Sequence, residues 1–444
     1  MKKILFVLLF FHFVLASFAQ NVKSFSLVEA QEYALQNNEK YKNSLLDENI
    51  AKLKVVETRG MGLPQINLSG SFNNFINLPV QVVDASFINP YAKKGETISF
   101  RAGTTYNASG TLQASQLLFN GSYIVGLQVS KFYRDFTATG SEKTKEDVLL
   151  DVAQSYHLFA VAKENVQFMD SLVILSKQLI EKQKNYFELG LMVKEDMDQL
   201  EFSLSNAEYT LQNAKLQLDN AAALLKFSMG ISQKDNIDIS ENVGILYQKN
   251  IGINTSSYSL TNNINYQLLS KQVQLNSFNL KNKKAQNLPT LSAFFQQTYN
   301  AYRNDFDLFA DKKWFPQTLW GLQLNVPIFS GLSRHAQISQ ARVEVEKSKN
   351  ALNEFQRALE LQQIQYLNNY QNALNQLTLQ KQNVDLAKNI YLNAVLKEKI
   401  GNGNSILVSQ KYNQLIISQA QYIGSMLDLF TSKINIDRLY HQNK

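Results

Sequence analysis

The six prolines of this 444-residue chain are confined to two short windows: Pro64, Pro79 and Pro90 in the first, Pro289, Pro316 and Pro327 in the second. Residues 91–288 and 328–444 contain none. Proline costs roughly 3 kcal/mol inside a helix, so tracts this long without it, rich in Leu, Ala, Gln, Lys and Glu, predict long helices. Whatever is not helical gathers in the windows.

There the pattern changes to a period of two. In LPQINLSGSFNNF, Ile66, Leu68, Gly70 and Phe72 share one face, and Gln65, Asn67, Ser69, Ser71 and Asn73 share the other. Tyr106, Ala108, Gly110, Leu112 and Ala114 alternate with Asn107, Ser109, Thr111, Gln113 and Ser115. Trp320, Leu322, Leu324, Val326 and Ile328 alternate with Gly321, Gln323 and Asn325. A fourth stretch, 290–300, is looser because Phe294 interrupts its polar face. Four strands of about ten residues, apolar on one side and amide-rich on the other, suit tilted bilayer crossings with lipid outside and water inside. A half-buried soluble hairpin shows the same alternation. The polar stretches 77–103 and 301–318 read as irregular loops.

The first residues favour export. Lys2 and Lys3 precede an apolar run from Ile4 to Val14, and Ala16-Ser17-Phe18-Ala19 supplies small residues for cleavage. A signal peptide over 1–19 with Gln20 as the new N-terminus is expected; a retained anchor is the rival, but the run is short of the ~20 residues of a spanning helix. No other run of about eighteen apolar residues follows. With no cysteine, the chain has no disulfide, no thiolate zinc site and no cysteine to acylate. The net charge of +7 is scattered rather than blocked, which argues against a nucleic-acid partner. His157, His335 and His441 stand alone, without metal-ligand spacing. No phosphate loop, nucleophile triad or paired-carboxylate motif occurs, so neither a cofactor nor an enzyme is expected.

The chain also repeats itself. An offset of roughly 225 sets Asn38 on Asn263, Tyr41 on Tyr266 and Leu63-Pro64 on Leu288-Pro289; past the first strand the offset falls to about 210. There Phe119-Asn120-Gly121 meets Phe329-Ser330-Gly331, and Gly190 falls near Gly401. The first repeat covers 20–240, with strands about 63–76 and 104–118 and long helices 120–189 and 193–230. The second covers 241–444, with strands about 288–300 and 318–329 and long helices 331–400 and 404–440. The Phe-polar-Gly junctions end a strand and start a long helix, where Asn120 or Ser330 can cap the first turn.

The helix faces show what they pack against. Met197, Leu200, Leu204, Ala207, Leu211, Ala214, Leu218, Ala221 and Leu225 follow at spacings of three and four, a coiled-coil seam. Phe202, Tyr209, Leu216 and Ala223 form a second seven-residue series beside it. A two-stranded coil needs one seam; a helix in a closed wall of helices needs two. The second half echoes the first seam as Leu415, Ser418, Tyr422, Ser425 and Leu429.

Together these features resemble the TolC-like outer-membrane efflux proteins over nearly the whole mature chain. The resemblance is carried by SLVEAQEYALQNN, GLPQINLSGSF, the LLFNG and PIFSG junctions, and YFELGLMVKEDMDQLEFSLSNAEYTLQNAKLQL with its echo EKIGNGNSILVSQKYNQLIISQAQY. It implies a mixed α/β membrane protein: a homotrimer giving four strands per protomer to one outer-membrane β-barrel in contact with lipid, continuous with a periplasmic α-helical coiled-coil barrel. It also implies a periplasmic adaptor and an inner-membrane transporter, of the resistance-nodulation-division or the ABC type. The function expected is a passive exit duct for small molecules. A duct for type I protein secretion, or a periplasmic coiled coil without a pore, are the alternatives. Carried onto this sequence, the family's adaptor-contact turns fall at Gly190, Leu191, Gly401 and Gly403, and Asp196 stands as a gate or helix-cap residue. The second turn departs from the family pattern: Gly403, Leu407 and Gln410 stand where an arginine and aspartates hold the tip in better-known members.

Overall fold

In the computed structural model, which describes residues 23–252 and 259–441, the proline-free tracts are helical and the proline windows hold the strands. The expected signal peptide, 1–19, and Gln20 lie outside the described residues. In chain order the elements are β1 (Lys23–Phe25), α1 (Leu27–Asn37), α2 (Glu39–Gly60), β2 (Gln65–Asn74), β3 (Val80–Asp84), β4 (Thr97–Arg101), β5 (Tyr106–Asn120), α3 (Gly121–Glu188), α4 (Lys194–Met229) and β6 (Ile237–Ile239). They continue with α5 (Val243–Asn250), α6 (Ile264–Ala285), β7 (Thr290–Arg303), β8 (Phe315–Asn325), α7 (Ser333–Lys399) and α8 (Ser405–Tyr440). Among the described residues no helix is long and apolar enough to cross a membrane.

The chain forms two compact units. Among the described residues the first draws on 23–49, 136–252, 259–271 and 350–441, the second on Ile50–Asp135 and Gln272–Lys349. Each takes residues from both halves of the sequence, and the boundaries fall inside α2, α3, α6 and α7.

In the first unit, α4 buries Met197, Leu200, Ala207, Leu211, Ala214, Ala221 and Leu225, most of the expected seam. Leu200, Leu211 and Ala214 share a cluster with Val408, Tyr412 and Leu415 of α8, Leu172 and Leu179 of α3, and Tyr391 and Val395 of α7. On α8 the seam runs through Val408, Tyr412, Leu415, Gln419, Met426 and Leu429. Ser418 therefore cedes its place to Gln419, because the four-residue step after Leu415 keeps the stripe on one side of a 3.6-residue helix.

Two asparagines tie this unit together in the same way. Asn38 accepts from the backbone N–H groups of Lys40 and Tyr41 at 2.9 and 3.3 Å and donates to the Ser228 carbonyl at 2.9 Å. Asn263 accepts from those of Asn265 and Tyr266, both at 3.1 Å, and donates to the Leu439 carbonyl, also at 3.1 Å. Each caps the start of one helix while satisfying a carbonyl at the end of another, since both ends leave backbone groups without helical partners. Nearby, β1 and β6 pair in parallel, and the Tyr156 hydroxyl donates to the Phe25 carbonyl at 2.9 Å.

In the second unit four antiparallel strands form a sheet ordered β2-β5-β7-β8. Sheet neighbours β5 and β7 come from different halves of the chain, and β2 and β8 are the edges. One loop differs from expectation. The stretch 77–103 contains a second, two-stranded hairpin, β3 with β4, pairing Val80 through Asp84 with Arg101 through Thr97. Asp84 then caps a short 3-10 turn, Ala85–Phe87, by accepting from the Ser86 N–H at 3.0 Å. The other expected loop is shorter than 301–318, because β7 runs on to Arg303 and β8 starts at Phe315.

Candidate functional site

The sheet register puts side chains of alternating character across four strands onto two opposed surfaces. One face carries Ile66, Leu68 and Phe72 beside Ala114, Leu112 and Ala108, then Phe295, Gln297 and Ala301, then Trp320, Thr318 and Pro316. The other carries Asn67, Ser69, Ser71 and Asn73 beside Gln113, Thr111, Ser109 and Asn107, then Gln296, Thr298, Asn300 and Tyr302. Hydroxyls bridge strands on this second face: Ser71 to Ser109 at 2.8 Å and Thr111 to Thr298 at 3.0 Å. Phe294, which breaks the alternation, sits over Gly321, where an added Cβ would stand 3.0 Å from its ring. The glycine opens the slot that the ring fills, and Tyr302, Phe315 and Leu319 share this face with the amides and hydroxyls. On the apolar face the Gln297 amide is met by the Thr318 hydroxyl.

At the end of β5, Phe119 and Gly121 lead directly into α3, and the Asn120 side chain accepts from the Tyr123 N–H at 2.9 Å, the expected cap. Gly121 is packed too closely for a side chain, since a Cβ there would lie 2.6 Å from a Leu288 methyl and 2.9 Å from the Ala285 carbonyl. The second junction is different. Phe329 is exposed, Gly331 and Leu332 both take left-handed conformations (φ 59° and 67°), and α7 starts only at Ser333. Ser330 does not cap through its hydroxyl; its carbonyl accepts from the Ser333 N–H at 3.2 Å.

The helix-helix turns of the first unit are built alike. Gly190 and Gly401 both have φ 73°. The Gly190 N–H donates to Phe187 and the Leu191 N–H to Tyr186, and the Gly401 N–H donates to Glu398 and the Asn402 N–H to Lys397, all at 2.9–3.1 Å. Each turn is a Schellman motif with glycine where an L-residue would be strained. The exits diverge. Asn404 accepts from the Ile406 N–H at 2.7 Å and from the Leu407 N–H at 3.3 Å, whereas Val193 stands at the start of α4 without a side-chain cap. Asp196 is therefore not the cap; it lies in the first turn of α4 and accepts a hydrogen bond from the Ser405 hydroxyl of α8.

That bond belongs to a polar network which the sequence did not disclose. Gln183 of α3 donates to the carbonyl of Glu398 at 3.1 Å and to its carboxylate at 3.2 Å. Gln199 and Ser203 of α4 both reach Ser409 of α8 at 2.9 Å. Gln183, Glu398, Ser405 and Ser409 are buried. Burial holds the Glu398 carboxyl above its ordinary value, against the Gln183 bond and with the help of the Asp196 charge. Gly403 packs against Glu398, whose backbone nitrogen would lie 2.4 Å from an added Cβ. Leu191 is exposed.

The seams can now be placed. The first lies in the core, whereas Phe202, Tyr209 and Leu216 are 61, 66 and 55% exposed. Among the described residues no group of His, Asp and Glu is arranged to hold a metal ion.

No protein-family model matches this sequence, and no curated protein matches it. Solved structures do. The outer membrane protein VceC from Vibrio cholerae superposes with a TM-score of 0.69 at 13% identity, over 93% of this chain and 95% of its own. The Campylobacter jejuni CmeC outer membrane channel gives 0.71 at 15%, over 93% and 85%. The Neisseria gonorrhoeae MtrE outer membrane channel gives 0.68 at 12%, over 93% and 88%. The chain therefore has the fold of these outer-membrane channels, shared across almost its entire length.

Proposed function

We propose that this protein is the outer-membrane exit duct of a tripartite efflux system, passively conducting small molecules expelled by an inner-membrane pump through a periplasmic adaptor. The observation that carries the reading is the four-stranded sheet with one apolar face, one amide and hydroxyl face, and two unpaired edges. In lipid an open edge leaves backbone groups without partners, so such a sheet must be completed by further copies. Three copies closing one barrel, edge β8 of one against edge β2 of the next, would give each edge a partner. The exposed second seam on α4 supports the same assembly, because it offers a neighbouring copy an apolar stripe. The adaptor-contact turns are assigned to Gly190, Leu191, Gly401 and Gly403. A partner pump of the resistance-nodulation-division type is favoured over an ABC transporter, which would go with protein secretion through the same duct.

The test is the molar mass of the protein extracted from membranes in mild detergent, by light scattering with the detergent subtracted. Three copies are expected. A stable monomer, or a protein released without detergent, would overturn the duct and favour a coiled coil without a pore. Deletion in a strain lacking similar channels should then raise sensitivity to toxic small molecules.

A further inference from the structure

The first unit contains a cavity of about 800 Å³ between α3, α5, α7 and α8 that none of the features above uses. Its volume lies in the range of about 300–1,000 Å³ typical of sites for small organic ligands. Val243, Leu377 and Met426, all buried, form an apolar floor. Above it stand Glu164, Tyr247 and Tyr422, half-buried, and at the rim Lys381 and Asp385, exposed. The side chains of these five polar residues make no hydrogen bond or close ion pair with any other described residue.

We propose that this cavity is a binding site for an organic monocation with a flat apolar body. The floor accepts the body, Tyr247 and Tyr422 offer ring faces that attract a cation, and the two carboxylates outnumber the single ammonium, whose long stem lets it swing from the rim into solvent. Burial, and after it the charges of Glu164 and Asp385, push the Tyr422 phenol up to about 12. Burial holds the Glu164 carboxyl above its ordinary value and Lys381 works against that, so a bound cation would favour the ionised form. The inference stands on the cavity of a single chain and does not depend on the duct.

The experiment titrates ethidium, a planar aromatic monocation, against the full-length protein in a non-ionic detergent and follows fluorescence anisotropy, with empty micelles as the blank. Saturable binding is expected, displaced by tetraphenylphosphonium and not by an anionic dye of similar size. Glu164→Gln should weaken it about tenfold, the loss of a half-buried charge contact, Asp385→Asn should weaken it by less because that carboxylate is exposed, and Lys381→Gln should tighten it. Circular dichroism of each variant checks that the helices are retained. Absence of saturable binding overturns the proposal, and so does equal affinity in wild type and Glu164→Gln, which would mean partition into detergent. A cavity sealed by a neighbouring copy also gives no binding and overturns it. The molar mass of the same sample separates the two readings: a trimer without cation binding refutes the site and leaves the duct.

Discussion

Tyr412 and Tyr156 are both buried, and they differ in what their hydroxyls meet. The Tyr156 hydroxyl donates to Phe25, whereas that of Tyr412 has no partner among the described residues although its ring packs edge-on against Tyr391 at 5.9 Å. An unmet buried hydroxyl costs about 1–3 kcal/mol, while a made hydrogen bond contributes about 1 kcal/mol. Tyr412→Phe should therefore hold or raise the unfolding midpoint and Tyr156→Phe should lower it, by about 1 kcal/mol in denaturant titration. Glu398 supplies a test by pH. Its folded carboxyl lies above its ordinary value because it is buried, so between the two values the folded state binds more protons than the unfolded one. Its contribution is thus present below the unfolded value of about 4.3 and lost as pH rises through the raised one. Glu398→Gln removes that loss and still offers an oxygen to Gln183. The variant should be more stable than wild type at neutral pH, with the difference shrinking towards pH 4 in paired melts. None of this polar detail was readable beforehand, because Gln183 and Glu398 are 215 residues apart and nothing in either helix marks them as neighbours.

The helices carry two seams with opposite roles. Leu415 is fully buried within one chain, so Leu415→Ala should cost about 2–5 kcal/mol of folding stability. Phe202, Tyr209 and Leu216 face outward, so the triple change to Ser should leave the helical signal unchanged while the detergent-extracted protein loses its higher mass. Retention of the trimer would show that this stripe is not the contact. Both seams were legible in the sequence, since heptad spacing depends only on residues within one helix. So were the four sheet strands, whose period of two survives over about ten residues. What was not legible is short or distant. The β3–β4 hairpin has five residues a strand, too few to separate its alternation from a polar loop. Likewise β1 and β6 have three residues each and pair across more than two hundred positions, so only the tertiary contact makes them strands. The cap reading of Asp196 fails for a related reason. A carboxylate near a helix start suggests a cap, but Val193 already occupies that position, and the Ser405 hydroxyl that Asp196 meets comes from another helix.

At the scale of the whole molecule, the question is which medium meets the apolar face of the sheet. Leu68 is 79% exposed in the single chain, midway along β2, and its neighbour Ser69 points to the opposite face. If that face lies in water, as on a soluble hairpin, Leu68→Lys is a surface change worth less than about 0.5 kcal/mol. Facing the hydrocarbon of a bilayer, the same lysine costs about 2–4 kcal/mol near the midplane, whereas Ser69→Lys would line a water-filled lumen and cost little. The expected outcome is one-sided. Leu68→Lys should sharply reduce the amount of trimer recovered from outer membranes, and Ser69→Lys should leave it near wild type. Equal recovery of the two would mean that lipid touches neither face, and the barrel would have to be abandoned even though the fold is that of outer-membrane channels. The comparison is robust to a general effect of added charge, because both variants carry the same lysine on adjacent residues of one strand and differ only in the side of the sheet they enter.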